Sequence, residues 1–301
     1  DYKGYKIITM GPPSGGGVTL LQMLNILENF SFKKEEWGSS VYFHNLVMAM
    51  KYTFADRSKH IGDPDFYNVP INWLLSKKYA KEIANKIDSL STPSSEIFPG
   101  ELSKYNESEE TTHYSIVDKF GNAVSTTTTI NSSYGSDVVV EGAGFLLNNE
   151  MDDFSSKPGV PNQFGLIGSE ANKIEPGKRM LSSMSPAIVL KENKPFLVVG
   201  SPGGSTIPTV VLQVIMNVLD FGMDIQQAID MPRIHHQWLP DLINYEQFGL
   251  SLDVMQSLKN RGHIFGGERT LGRTEGIIID SDNQIIYGAT DPRGYGAAIG
   301  Y

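Results

Sequence analysis

At 301 residues, with 40% hydrophobic and 20% charged residues and 30 glycines, the chain has the composition of a mixed globular protein, long enough to bury about 75% of its unfolded surface. A formal charge of -9 argues against a nucleic-acid partner, because phosphate backbones call for a basic excess. The lack of cysteine excludes disulfides, thiolate metal ligands and a cysteine nucleophile, and the longest apolar run, Val210–Leu219 broken by Gln213 and Asn217, falls short of the ~20 residues of a membrane span.

The chain opens at Asp1 with neither initiator methionine nor a signal-peptide pattern, as a piece of a longer precursor would. Residues 5–11 alternate as a strand and run into the glycine- and proline-rich stretch Gly11–Gly17. Apolar spacing then predicts a helix from Val18 to about Phe30, a second from Val41 to Arg57, and short ones over Ile71–Leu75 and Ala80–Ile87. Leu90–Glu110 is rich in Ser, Pro and Glu, with little to bury and the character of a mobile linker, and it is where a cut is expected. Beta-branched sequence follows at once: strands over His113–Lys119 and Ala123–Ile130 around a Phe120-Gly121-Asn122 turn.

Ser155–Gly177 is too long for an inert connection and reads as a lid. Strands over Ala187–Leu190 and Phe196–Gly200 flank Asn193-Lys194. Helices are predicted over Ile207–Phe221, Ile225–Met231 and Leu252–Lys259, and a last strand pair, Gly276–Ile279 and Gln284–Thr290, brackets Asp282-Asn283. Hairpins outnumber crossovers, which favours a layered α+β fold over a doubly wound parallel sheet.

The common catalytic signatures are missing: no Gly-x-Ser-x-Gly elbow, no metalloprotease histidine pair, and no Walker lysine after Gly11–Gly17. His235-His236, adjacent and without a carboxylate motif, reads as structural. What remains is Thr111-Thr112-His113-Tyr114-Ser115, where the acidic linker becomes a strand. A threonine hydroxyl is a weak nucleophile, but a threonine freed at a chain terminus carries its own amine as general base, with a pKa of about 7.7 to 8.0. Taken locally, two threonines at a strand start are also ordinary beta-formers.

Wider motifs weigh on that choice. Pro12–Gly16 followed by Leu21–Glu28, Tyr52–Asp65 with its Ala55-Asp56-Arg57 and Gly62-Asp63-Pro64, Thr111–Asn122, Leu147–Phe154, Leu181–Pro186 and Gly200–Gly204 occur in order. In these segments the chain resembles the gamma-glutamyltransferase family over nearly its whole length. The resemblance implies an N-terminal-nucleophile hydrolase fold, α+β in four layers ordered alpha-beta-beta-alpha. Residues 1–110 would be the C-terminal part of the large subunit and 111–301 the small, catalytic subunit, the two forming a heterodimer after cleavage between Glu110 and Thr111.

By the same resemblance Thr111 is the nucleophile, oriented by Thr129. Asn131, Glu150 and Asp153 hold the ammonium of a gamma-glutamyl donor such as glutathione, and Ser182 and Ser183 its carboxylate. The backbone N–H groups of Gly203 and Gly204 form the oxyanion hole, a task glycine suits because no side chain blocks close approach. Phe164 stands at a lid position that often carries tyrosine, keeping the bulk without the hydroxyl that would reach Asn131. No metal or cofactor is implied, and the family is exported to the periplasm or beyond the cell. Its donor-carboxylate arginine lies further upstream, so neither Arg57 nor Arg179 inherits that role and the clamp in this chain lacks a cation. Cephalosporin acylation, poly-gamma-glutamate depolymerisation, or an inactive truncated scaffold are the alternatives.

Overall fold

Glycine makes poor helix, yet Gly15-Gly16-Gly17 opens the first one. The reason lies in the packing seen in the computed structural model, which describes residues 1–98 and 111–300. A Cβ on Gly16 would stand 2.0 Å from the Ser183 carbonyl oxygen and one on Gly17 1.9 Å from that of Met10, so only glycine lets the helix start this close to its neighbours. Strand β1 (Lys6–Thr9) therefore leads into α1 at Gly15, three residues before the apolar period begins, and α1 ends at Leu27. Gly15 N and Gly16 N donate to the Ser182 carbonyl at 2.8 and 3.2 Å, which pins the helix start to the Ser182-Ser183 segment.

Helix α2 (Ser40–His60) is capped by the Ser39 hydroxyl, which accepts from Tyr42 N at 3.2 Å. It runs through the interior, buried on nearly every face from Tyr42 to Ser58. Short helices α3 (Ile71–Leu74) and α4 (Lys77–Ala84) complete a mainly helical first part. Its last described stretch is moored to the second part: Trp238 Nε1 donates to the carbonyls of Ser94 and Ile97 at 3.0 Å each, and Lys51 bridges the Thr92 carbonyl and Asp241. The linker beyond it and the Glu110 side of the expected cut lie outside the described residues.

Strands β2 (Thr112–Val117) and β3 (Ala123–Thr128) form the expected hairpin. A loop without regular strands or helices beyond single 3-10 turns spans the gap to β4 (Ala187–Lys191) and β5 (Lys194–Gly200). Helices α5 (Ile207–Leu219) and α6 (Ile225–Asp230) follow. Next come β6 (Ile234–His235), β7 (Ile243–Tyr245), α7 (Leu252–Asn260) and β8 (Phe265–Glu268), and finally β9 (Glu275–Asp280) and β10 (Ile285–Thr290). The main sheet has the order β1-β4-β5-β9-β10, antiparallel throughout. A small sheet β6-β7-β8, with β7 and β8 parallel, is an addition that sequence patterning does not predict.

Alternation along β5 sets the layers. Leu197 and Val199 join the large core with α1, α2, α5 and α6; opposite Val199, a Cβ on Gly276 would meet Ile225 of α6 at 2.8 Å. Gly200 faces the other way, where a Cβ would meet the His113 ring at 2.3 Å. The β2–β3 hairpin thus lies on the sheet face opposite the helices, held also by Ser125 Oγ donating to the Val199 carbonyl at 3.0 Å. The described residues stack as helices, main sheet and hairpin, an α+β arrangement, and Tyr114, Ile116 and Val124 on the outer hairpin face remain about half exposed.

Candidate functional site

Because His113 lies against Gly200, the start of β2 and the loop leaving β5 emerge at the same end of the stacked sheets. Thr111 is the last residue before β2 and Gly203-Gly204 follow β5 by three residues. His113 itself is a packing residue. Its Nδ1 meets Thr127 Oγ1 at 2.9 Å and its Nε2 meets Ser115 Oγ at 3.1 Å. Burial holds its pKa down at about 4, so it is neutral and tied up.

Strand register sets Thr112 opposite Thr128, and one residue outward Thr111 Oγ1 points to Thr129 Oγ1 at 3.4 Å. Thr129 Oγ1 also accepts from Asn131 N at 2.8 Å. Asn131 has φ 76, a left-handed conformation that asparagine tolerates better than most residues. That kink buries its side chain, and Nδ2 donates to the Asn149 carbonyl at 3.3 Å. Asn149 in turn holds the turn together: its Oδ1 accepts from Ser132 N at 3.0 Å, and its Nδ2 reaches Ser132 Oγ and Gln163 Oε1.

Glu150–Asp153 form one 3-10 turn directly after Asn149. Asp152 accepts from Gln163 N at 2.8 Å. Asp153 points inward, and desolvation raises its carboxyl to about 7, with Glu150 and Asp152 adding to the rise and Arg57 opposing it. Desolvation also raises Glu150.

Arg57 lies beside Ser183, one of the two expected clamp hydroxyls. It is 4% exposed on α2, its Nη2 donates to Ser183 Oγ at 2.9 Å, and its Nε has no hydrogen-bond partner among the described residues. Burial lowers its pKa to about 10 while Asp153 pulls the other way, so it is charged at neutral pH. Arg179 is outside the site, engaged with Asp63 and Asp65. Ser182 and Ser183 are half-buried and are positioned by α1; Ser182 Oγ accepts from Met184 N at 3.2 Å.

Gly203 and Gly204 have φ 137 and 50, values that favour glycine at both positions. Gly204 begins a 3-10 turn that runs into the N-terminus of α5, an end that favours negative charge. Phe164 is buried in the long loop, and its ring would be 3.0 Å from a Cβ on Gly204. Since Gln163 bonds Asn149 and Asp152, the loop links the Asn131 turn to the glycine pair, and the expected residues converge on one region. Sequence reasoning passed over Asn149 and Gln163 and set Arg57 aside; the signal for Arg57 is a cation inside an otherwise buried helix. A cavity of about 920 Å³ is lined by Lys191, Phe196, Met223 and Asp280. It sits at the other end of β5 and holds none of these residues.

This arrangement can place a hydroxyl, a carboxylate beside a buried cation, and a pair of glycine amides around one small polar molecule. A sequence model described as gamma-glutamyltranspeptidase matches residues 1–301. The glutathione hydrolase proenzyme of Escherichia coli strain K12 is 51% identical over 97% of this chain and 50% of its own. A solved mutant gamma-glutamyltranspeptidase from Helicobacter pylori is 56% identical, with a TM-score of 0.59 over 61% of this chain and 100% of its own. Solved cephalosporin acylase from Bacillus halodurans is 28% identical, with a TM-score of 0.82 over 97% of this chain and 50% of its own. The chain spans about half the length of the curated relatives it matches. With its sheets, its helices and the hairpin that follows Thr111 all accounted for, the fold is that of the N-terminal-nucleophile hydrolases, and the chain belongs to the gamma-glutamyltranspeptidase family.

Proposed function

We propose that this chain is the C-terminal portion of a gamma-glutamyltransferase precursor that cleaves itself between Glu110 and Thr111 and then uses Thr111 on gamma-glutamyl amides such as glutathione. In processing, Thr111 Oγ1 attacks the Glu110 carbonyl carbon, the peptide C–N bond breaks to give an ester, and water hydrolyses that ester. A carboxylate on Glu110 and a free amine on Thr111 result. In turnover the amine takes the hydroxyl proton as Oγ1 attacks the donor's amide carbon. The oxyanion faces the N–H groups of Gly203 and Gly204, donors of a kind worth about 2.7 to 4 kcal/mol each. The leaving amine departs with the proton, and water or an acceptor amine then takes the gamma-glutamyl group from Oγ1.

Asp153, Glu150 and Asn131 receive the donor ammonium, and Ser182 and Ser183, backed by Arg57, its carboxylate. Thr129 orients the nucleophile, and Phe164 covers the site as part of a lid. The observation that carries this reading is the continuous run of contacts from Thr111 Oγ1 through Thr129 and Asn131 to the Asn149–Asp153 turn. The acylase likeness supports a second reading, acylation chemistry on a bulkier amide, but a carboxylate beside a buried guanidinium suits an amino-acid head group better. Two pieces held as a heterodimer, and export from the cytoplasm, belong to the same proposal.

The test is intact-mass analysis of the full-length protein and of Thr111→Ala, alongside a gamma-glutamyl anilide assay and cell fractionation. Self-cleavage and turnover are expected in the first protein and neither in the second. Anilide release by Thr111→Ala would refute the mechanism, and faster turnover of a beta-lactam side-chain amide than of glutathione would favour the acylase reading.

A further inference from the structure

We infer that Gln237 is a positioning residue that locks the lid backbone to the oxyanion-hole loop, and this rests on the function proposed above. Gln237 follows β6 and is 7% exposed. Its Oε1 accepts from Ser205 Oγ at 2.8 Å and faces His235 Nε2 at 3.0 Å, while its Nε2 donates to the Phe164 carbonyl at 3.0 Å and the Leu239 carbonyl at 3.4 Å. Ser205 comes directly after Gly203-Gly204, and Phe164 is the residue whose ring covers Gly204. One amide therefore ties both sides of the glycine pair.

The orientation of that amide is forced. Turned over, its oxygen would face two carbonyl oxygens, and no proton would lie between them. His235 completes the lock: burial drops its pKa to about 3, so it is neutral, and its Nδ1 faces Thr209 Oγ1 of α5 at 2.8 Å. Because Gln237 Oε1 can only accept, the single proton of neutral His235 sits on Nε2 and Nδ1 faces the Thr209 hydroxyl, whose proton is shared with the Thr206 carbonyl at 2.8 Å. The oxyanion loop, the lid and the first turn of α5 are thus held in one set of hydrogen bonds. Catalysis by preorganised amides depends on such fixing, since a displacement of about 1 Å can cost ~100-fold in rate.

The test uses the full-length protein with Gln237→Met and Gln237→Glu. Methionine keeps the bulk and removes every hydrogen bond; kcat for a gamma-glutamyl anilide should fall about 10- to 100-fold with KM changed less than about threefold. Amide hydrogen exchange over residues 162–168 should quicken, a readout that needs no turnover. Glutamate keeps the acceptor for Ser205 but presents oxygen to the Phe164 carbonyl until it is protonated, and burial raises its pKa above the ordinary ~4.3. Activity of Gln237→Glu relative to the parent protein should therefore climb as pH is lowered from 9 to 6, a range in which His235 stays neutral and in which Asp153, shared by both proteins, cancels. Parent-like kcat in Gln237→Met, unchanged exchange over 162–168, or a pH-independent Glu-to-parent ratio would each overturn the inference. Should Gln237→Met fold poorly, the Glu ratio decides alone. An inactive parent protein would instead sink the proposed function, leaving the exchange experiment to judge the lock.

Discussion

Replacing Arg57 by methionine should disable donor binding. Two losses add. Ser183 Oγ loses a charge-assisted donor at 2.9 Å, a bond worth about 1.5 to 3 kcal/mol, equivalent to about 10- to 150-fold in kcat/KM. Asp153 loses the one attractive charge opposing its desolvation, so its pKa moves up from about 7 and more of it is protonated, hence unable to receive an ammonium, at pH 7.5. The loss should fall mainly on KM, and the acid limb of the kcat/KM profile should move to higher pH. Arg57→Lys should restore the limb by keeping the positive charge near Asp153. Thermal stability at pH 7.5 should fall, because removing one partner of a buried charge pair leaves the ionised fraction of Asp153 uncompensated. Steady-state kinetics of the full-length protein across pH, with melting curves, check this; kcat/KM within twofold of the parent and an unmoved acid limb would refute the reasoning.

Asp153 carries a second prediction. Its carboxyl titrates near 7 when folded against 3.8 when exposed, so the folded protein holds a proton that the unfolded chain releases between those values, and the site destabilises the fold increasingly as pH rises through that window. Asp153→Asn should therefore raise the melting temperature at pH 8 and leave it unchanged below pH 4, while removing donor binding; a larger gain at pH 4 than at pH 8 would contradict the assignment. Gly204→Ala forces φ 50 on a residue with a Cβ and drives that Cβ to 3.0 Å from Phe164, and kcat should drop about 100-fold or more. Gly200→Ala puts a Cβ 2.3 Å from His113 and should cost about 1 to 3 kcal/mol in denaturant unfolding by prising the hairpin off the sheet.

The hairpin was legible in the sequence because beta-branched alternation and the Phe120-Gly121-Asn122 turn agree, and the register follows from the turn. Helix α5 was legible from its unbroken apolar character. The start of α1 was not, since glycine hides a helix whose beginning is dictated by contacts with Met10 and Ser183. Strands β6, β7 and β8, two to four residues each, are too short for alternation to register. At the site, motifs located the residues near Thr111 and Gly203, whereas Arg57 and Gln237 act across 126 and 73 residues of sequence, a distance at which periodicity carries no information.

The Arg57 guanidinium, assigned above to the donor carboxylate, belongs to α2, and the Ser183 hydroxyl it touches belongs to the segment after the proposed cut. Scission at Thr111 would leave this contact as a bond between separate polypeptides, so that occupancy by donor and cohesion of the pair reinforce one another by mass action. Starved of substrate, the mature assembly would be at its most separable.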